Sequence, residues 1–187
     1  MVSQNRQILL YFSTFLTLIF TGALAIAYVK LTSLSGLGNE NAYNLQLGQP
    51  NSINLRGLLL GGMIIGALGV LDDITTTQTA TIFELFKTNP KQKFNELVKK
   101  GLNIGREHIA SLINTLVLAY AGVSLSLFVL FIINPRNIPY WVILNSESVM
   151  EEIVRSIVGS TGLILAIPLV TIISSWYLTK RKLPAPL

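Results

Sequence analysis

The sequence predicts an all-α polytopic membrane protein, four transmembrane helices plus a short cytoplasmic amphipathic helix in a single membrane domain over 1–187. Two observations predict this, and a third narrows the chemistry. Only 12% of the 187 residues are charged, where soluble domains run near 25%, and 51% are hydrophobic. The apolar residues come in blocks as long as a bilayer is thick, rather than at the period of half-buried helices or strands. The absence of cysteine excludes a disulfide scaffold, thiol catalysis, iron–sulfur clusters and cysteine-bound zinc.

Ile8 to Val29 is uncharged over 22 residues, enough at helical rise to cross a core of roughly 30 Å. It is too long for the apolar region of a cleaved signal peptide, although Arg6 and Ala23-Leu-Ala25 imitate one. Gly57 to Leu71 is uncharged for only 15 residues, about 22 Å of helix, and falls short. The helix is therefore expected to continue through Asp72, Asp73 and a threonine-rich stretch to about residue 83, giving a span over 55–83. No Pro or Gly interrupts Val70 to Asn89, and threonine hydroxyls can bond back to helix carbonyls. The next spans are about 109–133 and about 153–178, the latter containing Pro168 and ending in Trp176-Tyr177. Between the second and third spans, Phe94, Leu97, Val98 and Leu102 recur at helical spacing and predict a surface helix over about 91–103.

The charge of +5 reads as topology. Arg6, Lys87, Lys91, Lys93, Lys99, Lys100, Arg106, Lys180, Arg181 and Lys182 lie on one side, and Lys30, Arg56, Arg136 and Arg155 on the other. Ten against four places both termini in the cytoplasm. Nucleic-acid binding loses its main support, and the partner expected first is the lipid bilayer.

Polar residues inside the spans are the candidates for function. An aspartate at a helix centre costs roughly 2.5–3.5 kcal/mol on insertion scales, so Asp73 needs a partner, a proton or a wet path. Thr76, Thr77, Ala80 and Glu84 fall near the Asp73 stripe, and Asp73 and Glu84 are about three turns apart, a ladder of carboxylates of the kind that relays protons. Asp72, Asp73, Glu84 and His108 are thus proton-relay candidates. On the following span Asn114 and Thr115 are expected at the depth of Asp73 as hydrogen-bond partners, with Ser111 above His108. Gly62 and Gly66, and Gly159 and Ser160, read as close-packing positions. No phosphate loop, dinucleotide fingerprint or zinc-protease motif is present, and one histidine builds no multi-histidine metal site. Adjacent Asp72 and Asp73 project about 100° apart and form no protease dyad. No enzyme, cofactor or metal is expected.

Leu55-Arg-Gly-Leu-Leu-Leu-Gly-Gly-Met-Ile-Ile-Gly-Ala-Leu-Gly-Val-Leu-Asp-Asp73, then Glu84-Leu, then the run from Gly101 through His108 and Asn114 to Gly122, resemble the YibE/F-like family of bacterial multi-pass membrane proteins. Glu151-Glu-Ile-Val-Arg-Ser-Ile-Val-Gly-Ser160 resembles its closing motif. Longer members carry further spans ahead of this part, so the chain looks like their C-terminal half. The resemblance implies the bacterial cell membrane and a partner, either a longer family member or a second copy, and no reaction. An architectural likeness to transporters of the resistance-nodulation-division class and related protein-export subunits would make the four spans the last four of a six-span repeat, with Asp73 at the proton-carrying position. The expected function is a subunit of a proton-coupled membrane transporter; the alternative is a non-catalytic scaffold subunit packing against a longer homologue.

Overall fold

In a computed structural model of the chain, which describes residues 2–48 and 53–181, seven helices follow one another: α1 (Val2–Leu31), α2 (Glu40–Gly48), α3 (Leu55–Thr88), α4 (Phe94–Val123), α5 (Leu125–Ile133), α6 (Tyr140–Leu144) and α7 (Glu147–Arg181). Of the basic residues counted for orientation, Lys182 lies outside the described residues. No strand occurs among the described residues. Three stretches are long and apolar enough to cross a membrane: Gln7–Leu31, Leu55–Thr88 and Glu147–Lys180. Together with the outward-facing apolar side chains of α1, among them Tyr11, Phe12, Phe15 and Ile19, they make this a helical membrane protein. A fourth span exists if α4 and α5, bent by 58° at Ser124, are one crossing.

The helix expected over 91–103 is not a separate element. Phe94 begins a helix that runs without interruption to Val123. The reason is packing: Leu97 is fully buried, and Gly101 and Gly105 sit directly against side chains of α3 and α7. The stripe that reads as a surface face is instead the seam of a helix contact, and that contact offsets the roughly 1 kcal/mol cost of each mid-helix glycine.

α3 does continue through its acidic pair. The threonines behind it bond back to the chain: Thr75 Oγ1 donates to the Asp72 carbonyl (3.1 Å), Thr77 Oγ1 to the Asp73 carbonyl (2.9 Å) and Thr81 Oγ1 to the Thr77 carbonyl (2.9 Å). Each hydroxyl is thereby satisfied within its own helix. α7 likewise passes through Pro168 as one helix.

Two compact units arise. The first comprises Met1–Phe20, Ala67–Ile113 and Thr161–Leu187, the second Thr21–Gly66 and Asn114–Ser160. One end of the first unit closes on an apolar cluster of Ile82, Phe86, Leu97 and Leu178. The second has its core at Ala25, Val29, Leu34, Leu59, Met63, Val154 and Val158. The loop after α1 in that second unit is built around carboxylates of α7. Three successive backbone N–H groups, of Ser35 (2.6 Å), Gly36 (2.8 Å) and Leu37 (3.2 Å), donate to Glu147 Oε1, as does the Ser35 hydroxyl (2.7 Å). Gly38 N–H donates to Glu151 Oε1 (2.9 Å) and Arg56 Nε to the Leu34 carbonyl (2.8 Å). Such a run of N–H groups is an anion nest, and here the anion is the chain's own.

Candidate functional site

The site is built in the first unit, on α3. A hydrogen bond between Thr14 Oγ1 of α1 and Thr75 Oγ1 of α3 (2.7 Å) sets the register of the two helices. Leu18 and Leu68 line a shared groove with Tyr11, Phe12, Phe15 and Asp72, so the helices run antiparallel there. Thr14 lies six residues into the uncharged run that begins at Ile8, about 9 Å. Asp72, three residues deeper along α3 than Thr75, is therefore about 13 Å from the Ile8 end, and Asp73 about 12 Å, where the apolar run of α1 is about 33 Å long. By this register both aspartates fall within the axial extent of the apolar run of α1.

Their side chains nevertheless point away from the chain's interior. Asp72 and Asp73 are exposed, while Leu71, Ile74 and Thr75 beside them are buried. Among the described residues no hydrogen bond or ion pair reaches either carboxylate. The stripe continues outward: Gly62, Gly66, Gly69 and Glu84 are exposed and Thr76 and Ala80 half-buried. A Cβ added at Gly62, Gly66 or Gly69 would meet nothing within 4 Å. Within the first unit, Glu84 lines a shallow groove with Thr77, Ala80, Thr81, Leu85, Thr88 and Ile104. His108 and Ser111, on α4, are exposed.

Asn114 and Thr115 belong to the second unit, where both are exposed. In that unit Gly159 packs under the Tyr120 hydroxyl, 2.9 Å from where a Cβ would sit, and Ser160 Oγ donates to the Ser156 carbonyl (2.7 Å).

Behind the aspartates, on the buried side of α3, lies a polar seam that no sequence motif announced. α1 contributes Ser13, Thr14 and Thr17, α3 contributes Thr75, Gln78 and Thr79, and α7 contributes Thr171, Ser174 and Ser175; all nine are buried. Gln78 is its junction: Nε2 donates to the Gly101 carbonyl of α4 (2.9 Å) and to Thr171 Oγ1 of α7 (2.7 Å). α4 comes this close because residues 101 and 105 have no side chain. A Cβ at Gly101 would collide with Ile82 Cδ1, and one at Gly105 would lie 2.5 Å from Ile167 Cγ2 and 3.1 Å from the Gln78 amide. The signal in the sequence was there at helix period: Ser13 and Thr17 are four apart, as are Thr75 and Thr79, and Thr171 precedes Ser174 and Ser175 by three and four. Read singly, each is an ordinary hydroxyl in an apolar run.

The arrangement offers neutral oxygens inside and two carboxylates at the outer surface of the same helix. Among the described residues no three His, Asp or Glu side chains gather to hold a metal ion.

The family model for YibE/F-like proteins matches residues 3–180. The chain belongs to the YibE/F-like family. The match takes in α3 with both aspartates, the seam and the Glu147 nest alike. No curated protein and no solved structure matches the chain.

Proposed function

We propose that this YibE/F-like chain is a subunit of a proton-coupled membrane transporter, with Asp72 and Asp73 as the groups that take up and release the proton. What supports the reading is the register of the pair: two carboxylates about 12–13 Å along an apolar run from its Ile8 end, on an exposed face, with no partner among the described residues. A charge held there costs several kcal/mol, and such residues in spanning helices serve ion and proton pathways. Protonation removes that cost, and so does a polar helix from another subunit. The ten-to-four distribution of basic residues supports a bacterial cell-membrane orientation with both termini in the cytoplasm. Glu84, at the α3 end nearer the basic loop, then stands between the pair and the cytoplasm, with His108 on the neighbouring helix as a second exchange group.

The open glycine face of α3 favours a second reading, a scaffold subunit that packs Gly62 and Gly66 against a longer family member or a second copy. One set of vesicles separates the two. With the chain reconstituted together with whatever co-purifies in mild detergent, Asp73→Asn should lower proton flux at least tenfold while insertion and co-purification persist. Unchanged flux in Asp73→Asn sinks the carrier reading. Loss of co-purification in Gly62→Leu with normal flux in Asp73→Asn is the scaffold result.

A further inference from the structure

Four hydroxyls of the polar seam, Ser13 Oγ, Thr79 Oγ1, Ser174 Oγ and Ser175 Oγ, are fully buried and have no hydrogen-bond partner among the described residues. Each is costly when dry, since a buried hydroxyl without a partner forfeits its hydration. Four of them in one unit, on the inner faces of three helices, ask for a polar guest rather than for four separate accidents of packing.

Their spacing says which guest. With the Thr14–Thr75 bond as the origin and helical rise as the ruler, Ser13 lies about 1.5 Å towards the Ile8 end of α1 and Thr79 about 6 Å. The Gln78–Thr171 bond ties α7 to α3 about 4.5 Å from that origin, which puts Ser174 and Ser175 at about 9 and 10.5 Å from it. The hydroxyls are therefore staggered along the helix axes over about 9 Å. A cation gathers its oxygens at about 2.3–2.6 Å, inside a sphere about 5 Å across, so this is the wrong shape for a cage. It is the right length for three or four waters in a row at about 2.8 Å.

We propose that the seam holds a single file of water, running from the Thr14–Thr75 pair to the apolar cluster of Ile82, Phe86, Leu97 and Leu178, which closes it. At its first end Thr75 Oγ1 also reaches the Asp72 carbonyl, so the file begins one turn from the acidic pair. At its other end Leu97 and Ile82 are fully buried, which makes the cluster the gate of the file. When that gate opens, protons pass along the file by successive hops, each breaking one O–H bond as the next forms, with no net chemical change. This use of the file rests on the carrier reading above; the existence of the file does not.

The chain has no cysteine, so single cysteines can be placed without background. The probe is the silver ion, which travels where a file of water does and caps thiols. The readout is the thiol left for a fluorescent maleimide after denaturation. Thr79→Cys and Ser174→Cys should be capped at least tenfold faster than Leu163→Cys, which is equally buried on α7 outside the seam, and faster still when Ile82→Val shortens the closing cluster. Ser13→Cys replaces either variant that fails to elute as a single folded species. Capping no faster than Leu163→Cys in every seam variant, with Ile82→Val present as well, overturns the file. Rapid capping together with flux that ignores Asp73→Asn keeps the file and removes the carrier; acid-dependent flux with uncapped seam cysteines does the reverse.

Discussion

Gly101→Leu is expected to abolish recovery of folded protein. A Cβ at that position already collides with Ile82 Cδ1 and lies 3.0 Å from Thr171 Cγ2, and a leucine adds three more carbons. α4 would have to withdraw from α3 and α7. Withdrawal breaks the Gln78–Gly101 hydrogen bond, strips the cover from Leu97 and opens the apolar cluster at the end of the unit. Overpacking of this kind costs about 1–3 kcal/mol for a methyl group and more for a larger side chain; with the lost core contacts the sum reaches about 4 kcal/mol or beyond. The geometry supplies its own control. Because the first collision is with the terminal methyl of Ile82, the milder Gly101→Ala should lower the melting temperature in detergent, and Ile82→Val, which deletes that methyl, should restore most of it. Gly61→Leu, where a Cβ meets nothing within 4 Å, should leave the monomer's melting temperature unchanged. Equal losses in Gly101→Leu and Gly61→Leu would show that α4 does not approach α3 as described.

Gly36→Val is expected to have the second-largest effect, and for a different reason. Gly36 sits at φ +90°, a backbone conformation that side chains disfavour by roughly 1–2 kcal/mol, and its Cβ would lie 2.6 Å from the Leu55 carbonyl carbon, with the carbonyl oxygen closer still. Backbone is in the way, so no rotamer change relieves the contact. The loop must shift, and shifting it removes the nest of Ser35, Gly36 and Leu37 N–H groups from Glu147. Hydrogen bonds to a charged group are worth about 1.5–3 kcal/mol each, so the total loss is about 3 kcal/mol or more. Protease susceptibility of the 32–39 loop and the melting temperature both read this. Gly48→Val, which meets nothing within 4 Å, is the neutral comparison.

Much of this architecture was legible in the sequence because a bilayer makes hydrophobic length a direct signal. The run from Ile8 to Val29, the continuation of α3 through Asp72-Asp73 and the long last helix all follow from counting uncharged residues against a fixed thickness. The surface helix before the third span misled for a physical reason: an apolar stripe at period 3.6 looks the same whether it meets lipid headgroups or another helix, and only the glycines at 101 and 105 hinted at the latter. The acidic pair stood out because charge in an apolar run is rare. The seam did not, because serine and threonine are tolerated in spanning helices by bonding back to their own carbonyls, as Thr17 does to Ser13 (2.8 Å). Only tertiary structure reveals that Ser13, Thr79, Ser174 and Ser175 do not do so. Glu147 carries no signal of its own in the sequence, since an anion nest depends on the backbone conformation of a loop five helices earlier in the chain.

The claim on which the proposed function turns is that the acidic pair lies inside the bilayer on an outward face of α3. It is tested most directly by placing a nitroxide at Asp73→Cys in the purified chain, reconstituted alone in phospholipid bilayers, and comparing its relaxation by oxygen with that by a water-soluble nickel chelate. Oxygen should dominate at position 73, with a depth near 12 Å, while Thr88→Cys at the end of α3 reports the nickel-rich interface. A label at Asp73→Cys that meets the nickel chelate as readily as the one at Thr88→Cys would put the acids in water at the membrane surface and contradict the register.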